Sequence, residues 1–193
     1  MTANGHGRLR IAQVAPLHES VPPRLYGGTE RIVSYLTEEL VTAGHDVTLF
    51  ASGDSQTTAR LIAGCPRALR RARCTDTLAL HLAMVEQVAR RARDFDVVHW
   101  HIDYLHFPVS RREPYRHVTT LHGRLALADN LPVFARFADL PVVSISDAQR
   151  APPATRDRAA GRAARRRSTP PGDRRTARTP AGCRRGRAGR AGS

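Results

Sequence analysis

Apolar and polar positions change period repeatedly along the first 150 residues. "LRIAQVAP" (9–16) is a short apolar run closed by proline, the pattern of a buried strand. A polar loop follows, "LHESVPPRLYGG" (17–28). From Thr29 the spacing becomes helical. Ile32, Val33, Leu36, Leu40 and Val41 fall on one face, with Glu30, Arg31, Glu38 and Glu39 elsewhere. Thr29 is the expected cap at the start of this helix, and Gly44 its stop. "DVTLFAS" (46–52) is a second strand. Strand, loop, helix and strand in this order predict a βαβ unit and a parallel sheet.

The alternation continues. "ARLIAG" (59–64) is a short strand. "TDTLALHLAMVEQVARRAR" (75–93) is a helix with Leu78, Leu82, Val85, Val88 and Ala92 on one face. Asp76 lies at its start, and Arg90, Arg91 and Arg93 suit its C-terminal dipole. "DVVHWHI" (96–102), "HVTTLH" (117–122) and "PVVSIS" (141–146) are three further strands. The expected fold is α/β, a Rossmann-like open parallel sheet with helices on both faces. Such sheets bind ligands beyond the carboxyl ends of their strands.

The loop "YGG" follows the first strand and opens the first helix. Missing side chains let a backbone approach a ligand, and a helix N-terminus favours anions. A phosphate or diphosphate at Gly27, Gly28 and Thr29 is one expectation. A loop that needs φ > 0 is the other. The spacing is neither GxGxxG nor a P-loop.

Histidines crowd "HWHIDYLHF" (99–107), where His99 and His101 point to one strand face and Asp103 continues the alternation. A metal site is conceivable, but polar residues at a strand end line a cleft without any metal, and no metal is expected. His122 ends an apolar strand before Gly123, so its ring is expected to project into the cleft. There it would bond a hydroxyl or act as acid or base, or simply cap the strand end. GxSxG and HExxH are absent.

Composition splits the chain in two. Of its 193 residues, 1–150 hold 18 Arg against 15 Asp+Glu, whereas 151–193 hold 13 Arg against 2 Asp. Lysine is absent. No apolar run is long enough to cross a membrane, and the start "MTANGHGRLR" lacks the apolar stretch of a secretory signal. Cys65, Cys74 and Cys183 lack zinc-like spacing and fit reduced thiols in the cytoplasm.

"RIAQVAP…YGGTERIVSYLTEELVTAGHDVTLFASGDS", "FDVVHWHIDYLHFP", "HVTTLHGR" and "PVVSISDAQR" together resemble the N-terminal domain of family 4 glycosyltransferases. The resemblance implies one lobe of a retaining GT-B enzyme, domain 1–151. It implies a nucleotide-diphosphate sugar as donor substrate, an acceptor of unknown structure, and no metal or other cofactor. Gly27 and Gly28 match the loop that meets the donor diphosphate. His122 matches the histidine beside the transferred hexosyl group. Tyr26, Glu30, Asp103 and Arg124 are implied on the acceptor side.

The family's second, donor-binding lobe is not legible after "SISDAQRAP". Residues 151–193 contain no Val, Ile, Leu, Met, Phe, Trp, Tyr or Glu. The segment 152–193 is therefore expected to be a disordered tail. A basic arm for nucleic acid has the charge but no aromatics for stacking. A solvated tail is a second possibility. The expectation adopted is a reading-frame shift, because Ala, Arg, Gly and Pro make up 34 of residues 151–193, as in GC-rich DNA read out of frame. The lone lobe is then expected to be inactive unless a C-terminal lobe complements it. The alternative functions are a binding module for a phosphorylated ligand or partner, and a nucleic-acid binder acting through the tail.

Overall fold

In a computed structural model, residues 7–150 are described. Both the tail expected over 152–193 and the domain boundary at 151 lie outside them. The elements are β1 (Arg10–Val14), α1 (Gly28–Thr42), β2 (Asp46–Ser52), β3 (Arg60–Cys65), α2 (Leu69–Ala72) and α3 (Thr77–Ala89). They continue with β4 (Val97–Trp100), α4 (Phe107–Ser110), β5 (His117–Leu121), α5 (Leu131–Arg136), β6 (Val142–Ser144) and α6 (Asp147–Arg150). All six expected strands are present. The short helices α2, α4, α5 and α6 carry too few residues to show a period.

The strands form one sheet in the order β3-β2-β1-β4-β5-β6, with every neighbouring pair parallel. The sheet is the Rossmann-like open parallel sheet expected of the sequence, and its order was not legible there. The direction of winding reverses between β1 and β4, so the loops leaving these two strands diverge and open a crevice.

Side chains alternate across the sheet and give it two cores. Ala12, Val14, Phe50, Val98 and Trp100 face Met84, Val85 and Val88 of α3. On the other face Ala15, Leu49 and Ala51 meet Val33 of α1. A third group joins Phe107, Leu121 and Leu140 below the β5–β6 end. No helix of the described residues is long and apolar enough to cross a membrane.

Both long helices are rotated from their expected faces. In α1 the buried residues are Glu30, Val33, Ser34 and Thr37, while Ile32 is about half exposed. Small Ala15 and Ala51 leave room for Ser34 and Thr37 to approach the sheet, and Glu30 is tucked beneath the preceding loop. Thr29 does not cap the helix. The cap position is Gly27, no side chain caps there, and Thr29 lies within the first turn. At the other end Gly44 takes φ +91° and its N–H bonds the Val41 carbonyl at 2.9 Å, the expected stop.

In α3, Asp76 accepts from the Ala79 N–H at 3.0 Å, so the expected start holds. The buried face is His81, Met84, Val85 and Val88, and Leu78 and Leu82 are half exposed. His81 fixes this rotation. Its Nε2 accepts from the Leu17 N–H at 3.0 Å, so Nδ1 carries the proton and donates to the Thr77 carbonyl at 2.7 Å. A histidine with both nitrogens satisfied by backbone is as well buried as a leucine.

This rotation is testable by truncation. Met84→Ala should cost about 2–5 kcal/mol, while Leu82→Ala should cost about 1 kcal/mol or less. Urea denaturation of the two variants reads the difference, and the order reverses if the sequence-expected face is the buried one.

Candidate functional site

A cleft of about 1070 Å³ lies over the carboxyl ends of β1, β4 and β5. Of the residues expected at the site, Tyr26, Gly27, Gly28, Thr29 and Glu30 line one wall, and Asp103 and His122 the other. Arg124 is exposed and is not among the lining residues. Its carbonyl accepts from Asn130 Nδ2 at 3.2 Å.

The two glycines have different reasons to be glycine. Gly27 takes φ +149°, and a Cβ there would stand 2.7 Å from the Pro23 Cβ. Folding alone demands glycine at this position. Gly28 does not have positive φ, and a Cβ added to it would meet nothing within 4 Å. Nothing among the described residues requires Gly28 to lack a side chain. It stands at the first turn of a 15-residue helix with no side-chain cap, and it faces the cleft. The φ > 0 explanation thus applies to Gly27, while Gly28 has open space on its cleft side.

Glu30 lines the same wall but is only 5% exposed. Burial raises its pKa above the usual carboxylate value, opposed by the backbone N–H groups of Glu30 and Glu19. Tyr26, by contrast, is 77% exposed, with the Arg70 guanidinium 5.6 Å over its ring.

On the opposite wall Asp103 does not continue the β4 alternation. It lies beyond the strand in the left-handed region at φ +51°. This turns its carboxylate back, and Oδ1 accepts from the N–H groups of His122 at 3.1 Å and Gly123 at 3.4 Å. Gln149 grips the same loop, its amide nitrogen donating to the carbonyls of Leu121 at 2.8 Å and Gly123 at 2.7 Å. His122 is therefore held from both sides of its backbone.

Beneath His122 runs a row of polar groups on one sheet face. His101 Nδ1 lies 2.9 Å from His122 Nε2, and His101 Nε2 2.9 Å from Gln13 Oε1. The Gln13 amide nitrogen is 3.5 Å from His99 Nδ1, and His99 Nε2 is 2.8 Å from Thr120 Oγ1. His99 and His101 share a face as expected, but only His101 reaches the cleft. Burial lowers all three imidazole pKa values: His99 to about 4, His101 well below its ordinary value, and His122 less, with Asp103 opposing. Among the described residues no group of three or more His, Cys, Asp or Glu side chains is arranged to hold a metal ion.

His106 belongs elsewhere. It lies on the other sheet face, stacked on Trp100 with centroids 4.4 Å apart, and bonds Ser110 at 2.7 Å and Thr119 at 2.9 Å. Burial drives its pKa to about 2.

Three cleft residues carry no obvious sequence signal for the site: His18, Arg70 and His81. His18 packs on His81 with centroids 4.8 Å apart, and Arg70 pairs with Glu19 at 3.2 Å. Burial, then Arg70, lowers the His18 pKa. The one available clue was His81, a lone histidine at helical spacing with Met84, Val85 and Val88.

Two predictions follow from this geometry. Gly27→Ala should destabilise the fold by about 1–3 kcal/mol through backbone strain and the Pro23 contact, whereas Gly28→Ala should leave the thermal melt unchanged or raise it slightly. Separately, the unfolded chain protonates its histidines near pH 6.5 while His99 and His106 in the fold wait until about 4 and about 2. The unfolded state thus binds more protons as pH falls below about 6.5. Unfolding free energy should drop on acidification from there to about pH 4, by up to about 1.4 kcal/mol per pH unit for each such histidine. Urea denaturation at pH 7, 6 and 5 checks the slope, and a flat profile contradicts it.

The family model described as Glycosyltransferase Family 4 matches residues 26–181. Among solved structures, AviGT4, a glycosyltransferase involved in avilamycin A biosynthesis, is 26% identical with a TM-score of 0.43. The match covers 60% of this chain and 32% of that one. Sucrose-phosphate synthase from Thermosynechococcus elongatus is 18% identical with a TM-score of 0.41, covering 63% of this chain and 36% of that one. The chain therefore spans about a third of the length of either structure. No curated protein matches it. The family model covers well over half of the 193 residues, and the chain belongs to glycosyltransferase family 4.

Proposed function

We propose that the cleft is one half of a retaining glycosyl-transfer site that takes a nucleotide-diphosphate sugar and passes its hexosyl group to an acceptor. The observation that carries this is Gly28. It faces the cleft at an uncapped helix N-terminus and lacks a side chain that neither its backbone angle nor its packing forbids. A diphosphate fits that wall. Its oxygens accept from the first N–H groups of α1, and the helix dipole favours their charge.

The chemistry breaks the bond between the sugar's anomeric carbon and a phosphate oxygen and forms one from that carbon to an acceptor hydroxyl oxygen, whose proton leaves with the diphosphate. Negative charge grows on the leaving diphosphate as the first bond breaks. Donors already aimed at that charge lower the barrier without reorganising. Gly28 and Thr29 supply such donors here. His122, kept neutral by burial, offers the sugar a hydrogen bond rather than a charge. Tyr26, Glu30 and Asp103 border the space left for the acceptor. Arg124 joins them only if its exposed side chain turns inward on binding. A cytoplasmic location belongs to the same proposal, since Cys65 and Cys74 are free thiols.

The test is titration of the labelled chain with UDP-glucose and then with other nucleoside diphosphate sugars. Amide resonances of Gly28 and Thr29 should shift. Gly28→Leu should weaken binding at least about tenfold, or about 1.4 kcal/mol, while the fold stays intact. Absence of any shift at these amides across the donor panel contradicts the proposal. Transfer by the 193-residue chain alone should be negligible, because stabilising the diphosphate takes charge from a second wall. Measurable transfer by the purified chain would overturn that part.

A further inference from the structure

The polar row under the cleft has a direction, and one residue sets it. We propose that Gln13 is a positioning residue that fixes, through His101, which nitrogen of His122 carries the proton, so that His122 meets its ligand as a hydrogen-bond acceptor at Nδ1. The inference rests on the proposal that His122 faces the transferred sugar.

A neutral imidazole has no polarity of its own, since either nitrogen can hold the proton. A primary amide does: one end only accepts and the other only donates. Gln13 is 1% exposed, in the middle of β1, paired across the sheet with His99. Its oxygen, 2.9 Å from His101 Nε2, requires a proton on that nitrogen. Neutral His101 is then bare at Nδ1, and His122 Nε2–H must donate to it across 2.9 Å. That leaves His122 Nδ1 bare. The other end closes consistently. The amide nitrogen donates toward His99 Nδ1, and His99 Nε2–H donates to Thr120 Oγ1. Reversing any single member would set two protons or two lone pairs against each other.

The backbone of His122 is fixed independently by Asp103 and Gln149. Position thus comes from the loop and polarity from the sheet. The two walls of the cleft then ask for opposite chemistry. The start of α1 offers N–H donors to oxygen-rich anions, and His122 offers a lone pair to a hydroxyl. A bare Nδ1 repels phosphate or carboxylate oxygens. A ligand with an anion at one end and hydroxyls at the other can enter only one way round.

The measurement is a two-bond proton–nitrogen correlation spectrum of the histidine rings, on the full chain without ligand, near pH 8 so that the imidazoles are neutral. The expected pattern is a proton on Nε2 of both His101 and His122. Gln13→Glu, whose ionised carboxylate only accepts, should keep the proton on Nε2 of both His101 and His122. Gln13→Leu should move the His122 Nδ1 resonance away from the bare-nitrogen extreme as both tautomers become populated. A proton on Nδ1 of His122 in the unaltered chain overturns the proposal, as does an unchanged His122 spectrum in a folded Gln13→Leu. If the leucine variant does not fold, the unaltered and Gln13→Glu spectra decide. Because no ligand is present, failure here is distinct from failure to bind nucleotide sugars.

Discussion

A central parallel strand must be covered on both faces, and that constraint shapes the whole molecule. β1 lies between β2 and β4, and its side chains from Ile11 to Val14 are buried. The chain leaving β1 crosses by α1 on one face. The chain leaving β4 carries His106 and Phe107 against the other. Two crossovers on opposite faces cannot meet over the strand ends, so a crevice opens there. The facing walls at Gly27–Glu30 and at Asp103 are delivered by this divergence, from segments far apart in sequence.

The crevice brings a cost, because imidazole and amide groups must be buried to build its floor. An unpaired buried polar group costs about 1–3 kcal/mol. The row from Thr120 to His122 avoids that cost by giving the Gln13 amide and both nitrogens of His99 and His101 a partner. On the opposite face the His106, Ser110 and Thr119 set does the same. Trp100 Nε1 and His117 Nε2 are the buried ring nitrogens without a partner among the described residues. These networks keep their histidines neutral, and neutrality is what lets them act as directional hydrogen-bonding groups.

The strands and their parallel direction were legible because period 2 and period 3.6 segments alternate cleanly. The placement of His122 at the cleft was legible because it follows a strand, and that of the glycine loop because it opens a helix. Helix rotation was not. Counting apolar residues placed Ile32, Leu78 and Leu82 in the core, but His81 takes a core position through the distant Leu17 N–H, and Glu30 is buried beside Gly27. Nor does periodicity report that Asp103 would turn back in a left-handed conformation. Arg70 reaches the cleft from the short helix α2 and His18 from a loop, and neither spacing carries a code. The separate roles of Gly27 and Gly28 needed the Pro23 contact to be seen.

Strand β4 has an implication for how this lobe can vary. Val98 and Trp100 look into the apolar core, while His99 looks to the polar row and His101 follows it just past the strand end. Each face depends on parity alone. One residue inserted or deleted within "VVHWH" would turn Trp100 toward the cleft and the histidines toward α3. Core and floor would be lost together, with no intermediate that keeps either. Length changes between homologous lobes should therefore gather in the connecting loops, and an alignment gap inside this strand would mark a chain that no longer builds the same cleft.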